Sequence, residues 1–164
     1  MLMVLFQLNN DRYAVDARYV IEIVPLVIFK SVPHAPEFVA GLFSYHGAMV
    51  PVLDLCRLMA QRECRPLLSS RIILLDYGRL AGDSVGAGKR ILGLLAERVT
   101  EVCEKTGAVV ASPVDVKAAP YLGDIFYHHD AINQCLKPAA LLPEALRETL
   151  FVSAEQGPES GGSV

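Results

Sequence analysis

Two stretches of this chain, RYAVDARYVIEI from Arg12 to Ile23 and ILGLLAERVTEV from Ile91 to Val102, align without gaps and place Val20-Ile21-Glu22 on Val99-Thr100-Glu101. Gly41 followed by Tyr45-His46 falls in the same way on Gly123 followed by Tyr127-His128. The first pair is offset by 79 positions and the second by 82, nearly the same distance. A duplicated pattern of this kind points to two similar halves, each a strand, a turn and a further hairpin, the alternative being a chance match of alternating apolar residues. The halves are expected to meet near residues 65–90.

The local periodicity is that of strands. Val4, Phe6 and Leu8 alternate with Leu5 and Gln7, Asn9-Asn10-Asp11 supplies turn chemistry, and Tyr13 and Val15 resume the alternation, which reads as a hairpin. Further strands are expected at 41–45, 49–53, 71–77, 90–96, 99–104, 124–127 and 131–136. Ile72-Ile73-Leu74-Leu75 is apolar on both faces and suits a strand between two layers. Pro51 lacks an N–H for a ladder, so its strand is expected at an edge or with a bulge there. Asp54 is placed to cap a short helix carrying Leu55, Leu58 and Met59, and Leu142, Leu146 and Leu150 form the stripe of a second helix with Pro143 near its start. The expectation is an all-β fold with a few short helices, each half closed into a small barrel so that most exposed edges are removed. Residues 153–164, small, polar and Gly-rich, read as a disordered tail, and AGDSVGAGKR at 81–90 as a mobile hairpin loop.

Of the 164 residues, 52% are hydrophobic, enough apolar surface for one shared core. Fifteen basic against eighteen acidic side chains give a net charge of −3 with no Lys/Arg stripe, which argues against a nucleic-acid partner. The opening MLMVLFQLNND lacks a basic leader and turns polar early, and no run reaches the roughly 18 apolar residues of a bilayer span. A cytoplasmic protein without direct membrane insertion is expected.

The sequence offers several candidate chemistries. Cys56, Cys64, Cys103 and Cys135 form no CxxC pair and read as reduced, structural cysteines. The loop GDSVGAGKR has Asp83 where a phosphate-binding loop needs its first glycine and Arg90 where it needs Ser or Thr. His128, His129 and Asp130 suggest a metal, but strand alternation would send the two histidines to opposite faces, so no metal site is expected. Ser44 and His46 share a strand face by parity, yet no nucleophile elbow surrounds them. No catalytic residue and no cofactor is expected, and a binding module is favoured over an enzyme.

At GLFSYHGAMVPVLDL the chain resembles the CheW family, adaptors that couple chemoreceptors to the histidine kinase CheA. The family pattern is Gly, two residues, Asn, one residue, Arg, Gly, then an apolar run ending in Pro-Val-x-Asp-Leu. Here Gly41, Ser44, His46, Gly47 and Pro51-Val52-Leu53-Asp54-Leu55 stand at those positions. The opening strand with RYAV, the VIEI of Val20–Ile23, Pro33-x-x-Pro36 and LLAERVTEV extend the resemblance over roughly residues 3–150. It implies two intertwined five-stranded SH3-like barrels sharing a hydrophobic core within one domain over 1–152, without catalytic activity. The implied partners are a chemoreceptor cytoplasmic tip, bound in the groove between barrels, and a CheA-type kinase regulatory domain, with recruitment to membrane-associated receptor arrays.

The resemblance assigns receptor or kinase binding to Val20, Glu22, Gly41, Ser44, His46, Gly47 and Val99. It also implies a salt bridge from position 46 to Glu22, with His46 where the family has Arg and Ser44 where it has Asn. A ring that is mostly neutral near pH 7 thus replaces a permanent fork of charge. That departure points to a dedicated pathway such as a Wsp-type surface-sensing system with cyclic di-GMP as output. The alternatives are a small-molecule-binding barrel, which needs a sizeable pocket between the lobes, and behind it an enzyme.

Overall fold

The computed structural model describes residues 1–82, 90–106, 109–110 and 119–155. Its strands are β1 (Leu2–Leu8), β2 (Asp11–Asp16), β3 (Val20–Pro25), β4 (Val39–Tyr45), β5 (Ala48–Asp54), β6 (Arg71–Asp76), β7 (Ile91–Ala96), β8 (Glu101–Glu104), β9 (Val109–Val110), β10 (Leu122–His128) and β11 (Ala131–Leu136). The helices are α1 (Leu55–Ala60), α2 (Tyr77–Ala81) and α3 (Glu144–Glu155), with single 3-10 turns at Ala17–Tyr19 and Pro138–Ala140.

The strands form two sheets, in the orders β8-β1-β2-β11-β10-β9 and β3-β6-β7-β5-β4. Leaving aside the short β9, the two orders superimpose position by position. The antiparallel hairpin β1·β2 answers to β6·β7, the parallel pair β2·β11 to β7·β5, and the hairpin β10·β11 to β4·β5. The chain leaves the first barrel after β2, builds the second from β3 to β7, and returns with β8. The repeated segments of the sequence are these two crossings, β2 to β3 and β7 to β8, so the halves are interleaved rather than consecutive.

Burial follows from this interleaving. In β1, Val4, Phe6 and Leu8 enter the larger core, while Met3 and Leu5 enter a smaller one with Ala14, Cys103, Phe126 and Cys135. Both faces of β1 are therefore covered, as are those of β6, whose Ile72, Ile73, Leu74 and Leu75 are all fully buried. The larger core also takes Leu141, Leu142, Leu150 and Phe151 from α3 and the turn before it, so the expected apolar stripe packs.

Five expectations need correction. Pro51 lies neither at an edge nor in a bulge: β5 is paired on both sides, but its ladder to β7 registers only at Val52, Leu53 and Asp54, just past the proline. The last expected strand of the second crossing begins at Glu101, not Val99, and Tyr77 opens α2 instead of ending β6. Cys56 and Cys64 are not free thiols but a disulfide, because the αL residue Gln61 ends α1 and turns the chain back to bring their Cα atoms within 5.1 Å. The helix α3 continues through Ser153 to Glu155, beyond the expected start of the tail. The rest of that tail and residues 83–89 of the Gly-rich loop lie outside the described residues.

Candidate functional site

The β4·β5 hairpin closes with Tyr45 opposite Ala48, leaving His46 and Gly47 as a two-residue loop. Their φ angles are 48° and 81°, both left-handed, as a type I′ turn requires. The turn lifts His46 out of strand alternation, so Ser44 and His46 do not share a face, and the parity that hinted at a Ser–His pair is absent. Both side chains are exposed, as is Gly47.

In the sheet order β3 and β4 are opposite ends, and a side-chain contact joins them: the Tyr45 hydroxyl donates to the Glu22 carboxylate. The salt bridge expected between Glu22 and His46 is therefore replaced. Tyr45, the last strand residue, reaches the acid across the seam, and His46 instead lays its ring edgewise on Tyr45 with centroids 4.3 Å apart. Donation to Glu22, with lesser help from burial, stabilises the neutral phenol and raises the Tyr45 pKa above its ordinary value of 10.0.

Beneath this surface Gly41 sits buried at φ +144° in a register shift of β4. A Cβ there would lie 2.5 Å from the Lys30 carbonyl oxygen and 2.8 Å from Phe29 Cβ, because segment 29–30 bridges to Leu42 through a reciprocal pair of 2.8 Å backbone bonds. Gly41 is thus a structural necessity. Val20 and Val99 are half-buried against the larger core at opposite ends of β6. Val20 faces Leu75 and Val99 donates to the Ser69 carbonyl, so about six residues of strand, roughly 20 Å, separate them. The structure gathers Glu22, Ser44, His46 and Gly47 at one end of the second barrel, with Val20 nearby on β3, and leaves Val99 apart.

The matching end of the first barrel holds residues that the sequence reading set aside. His128 pairs with Ala131, so its two-residue loop is His129-Asp130, at φ 50° and 59°. His128 is therefore the counterpart of Tyr45. Its Nε2 lies 2.9 Å from Glu101 Oε1, the counterpart of the contact with Glu22. The His128 and His129 rings have centroids 4.1 Å apart. The hydrogen bond to His128 is the main reason the Glu101 carboxyl falls below its ordinary pKa of 4.5. Alternation fails for the two histidines because His129 is a turn residue with a left-handed φ, so it does not take the face opposite His128.

Elsewhere, Asp54 Oδ1 accepts from the Cys56 and Arg57 amides at 2.9 and 3.1 Å, and Oδ2 from the Cys64 amide at 3.1 Å. Burial outweighs these bonds and raises its pKa. Depressions of about 300 Å³ beside Asp54 and about 600 Å³ beside Asp11 and Asp130 are each lined by one barrel, with no lining residue from the other.

Set beside known proteins, residues 2–145 match the CheW-like domain. The chain belongs to the CheW-like family. Among its relatives, the chemotaxis protein CheW of Klebsiella aerogenes is 29% identical over 58% of each chain. The CheW of Treponema pallidum is 28% identical over 72% of this chain and 62% of its own, and protein FrzA of Myxococcus xanthus 30% identical over 37% and 38%. The alignment thus spans under two thirds of the length of these relatives. A crystal structure of the scaffolding protein TtCheW from Thermoanaerobacter tengcongensis superimposes with a TM-score of 0.68, covering 82% of both chains at 24% identity. The CheW-like fold of two SH3-like barrels is that seen here. Among the described residues, no helix is long and apolar enough to cross a membrane.

Proposed function

We propose that this chain is a non-catalytic adaptor that couples the cytoplasmic tip of a chemoreceptor to the regulatory domain of a CheA-type histidine kinase, and so joins membrane-associated receptor arrays from the cytoplasm. The CheW-like match over residues 2–145 carries the reading. The exposed group of Glu22, Ser44, His46 and Gly47, together with Val20, supports a protein-binding surface at the end of the second barrel. A net charge of −3 supports a protein partner over nucleic acid. With His46 and Ser44 where the family pattern has Arg and Asn, the pathway we infer is a dedicated one, of the surface-sensing kind with cyclic di-GMP as output.

Titration calorimetry of the purified chain with the cognate receptor tip and with the kinase regulatory domain tests this. Binding to both is expected, together with increased kinase autophosphorylation when all three are mixed. His46→Ala and Glu22→Ala should weaken receptor binding while the fold persists. Gly41→Asp is unsuitable for this purpose, since its side chain would strike the Lys30 carbonyl whatever the partner does. Absence of binding to either partner by the parent protein overturns the adaptor reading.

A further inference from the structure

We propose that Glu101, His128 and His129 form a surface site for a divalent transition metal, with zinc the best fit, at the end of the first barrel. One ligand atom from each residue lies within 4.8 Å of the other two. The His128–Glu101 edge of that triangle is 2.9 Å. Ligands held at about 2.0–2.1 Å around a tetrahedral zinc stand roughly 3.4 Å apart, a spacing inside the 4.8 Å within which all three ligand atoms lie.

The donor set decides the class of ion. Two imidazoles and one carboxylate suit zinc, cobalt, nickel or copper, whereas calcium and magnesium want oxygen throughout. Three protein ligands leave a fourth position for water. The site is reachable: His128 and Glu101 side chains are 18% and 37% exposed, and His129 is exposed on the turn. The left-handed φ of His129 brings its ring beside that of His128 instead of on the far face of the sheet. Arg12 acts electrostatically on Glu101 and opposes the incoming charge, which the anionic carboxylate must offset.

The other half of the molecule is an internal control. At the corresponding place it holds Glu22, Tyr45 and His46, and a protonated phenol takes the place of His128. The shared backbone does not by itself make a metal site; the imidazole at 128 does.

The test uses the full chain, free of any affinity tag, at a pH where the histidines are neutral, titrated with zinc chloride by calorimetry. One equivalent is expected to bind. His128→Gln and, separately, His129→Asn, which retains a residue tolerant of the left-handed turn, should each weaken it by at least about tenfold. His34→Asn, an exposed turn histidine elsewhere, should leave it unchanged. With cobalt in place of zinc, amide resonances of 101 and 128–130 should shift most. Failure of the parent chain to bind zinc, or equal affinity in the parent and in a folded His129→Asn variant, overturns the site.

Discussion

The two barrel ends share a backbone plan and differ in chemistry. Each has an acid on the strand that follows a crossing, Glu22 or Glu101; each has a hairpin whose last strand residue contacts that acid across the seam; each has a ring packed against that residue from the first turn position. In one the contact is phenol to carboxylate, in the other imidazole to carboxylate. Duplication has preserved where the side chains stand, and substitution has changed what they can do. The end bearing the family motif lacks the second imidazole, and the end bearing two imidazoles lacks the motif.

The largest test of this comparison lies in the two hairpin glycines. Gly41 combines φ +144° with a Cβ position 2.5 Å from a backbone oxygen, while the nearest atom to a Cβ on Gly123 is 3.2 Å away. Strain and overpacking add at the first and only mild crowding acts at the second, so Gly41→Ala should cost about 3 kcal/mol or more and Gly123→Ala about 1 kcal/mol. Urea denaturation of both variants checks this. Equal losses would mean that the bridge from Lys30 to Leu42 yields easily.

The cysteines divide by barrel in the same manner. Cys56 and Cys64 are bonded across eight positions beside Asp54 in the second barrel, whereas Cys103 and Cys135 are free and buried in the first, where burial pushes their thiol pKa values up. Closing so short a loop is worth about 2.5 kcal/mol in the chain-entropy account. Replacing both Cys56 and Cys64 by Ser should lower stability by that order, and Cys103→Ala by about 1 kcal/mol as a small core truncation. A reducing agent should destabilise the parent chain and leave the double variant unmoved, as thermal melts with and without it would show.

The crossings themselves differ next. The second carries Glu97, 1% exposed, which accepts from Arg62 at 2.6 and 3.0 Å and from Arg65 at 3.1 Å. The first carries Asp16, which caps a 3-10 turn and pairs with the exposed Arg18. Burial alone would raise the Glu97 pKa, but the bonds from Arg62 and then Arg65 outweigh it and hold it at about 2. A depressed carboxyl stabilises fully above its ordinary 4.5 and loses that contribution as pH falls towards about 2. Both guanidinium groups retain access to water, so Glu97→Gln should cost about 2 kcal/mol at pH 7, against under about 1 kcal/mol for Asp16→Asn. The deficit of the Glu97 variant should narrow as pH is lowered from 5 to 3; a constant deficit would remove the ion pairs as its cause.

The fold was legible because its signals are local and repeated: strand alternation in β1 and β2, the apolar run in β6, the cap at Asp54. The equivalence of β2·β3 with β7·β8 could be read at a constant offset. The hairpin tips could not, since Tyr45-His46 aligns by residue type on Tyr127-His128, whereas the turns superimpose one position later, Tyr45 on His128. A register error of one residue reassigns every contact at a tip. The same error hid the pairing of Tyr45 with Glu22 and the meeting of His128 with His129. The Cys56–Cys64 bond depends on a left-handed residue at Gln61, which no spacing rule signals.

The smallest expected effect addresses that tip directly. Because Tyr45 donates to Glu22, its phenol stays protonated to higher pH than a free tyrosine. Glu22→Gln substitutes a neutral acceptor for a charged one and should bring the Tyr45 titration back towards 10.0, the ordinary phenol value. His46→Asn, which keeps the turn but removes the edge-on ring, should move it much less, because a ring contact does not distinguish the two protonation states as a charged hydrogen bond does. Titration of ring resonances labelled at tyrosine, with Tyr45→Phe to assign the signal, separates the two. A larger shift from the His46 variant than from the Glu22 variant would return the histidine to the centre of this surface and break the parallel between Tyr45 and His128.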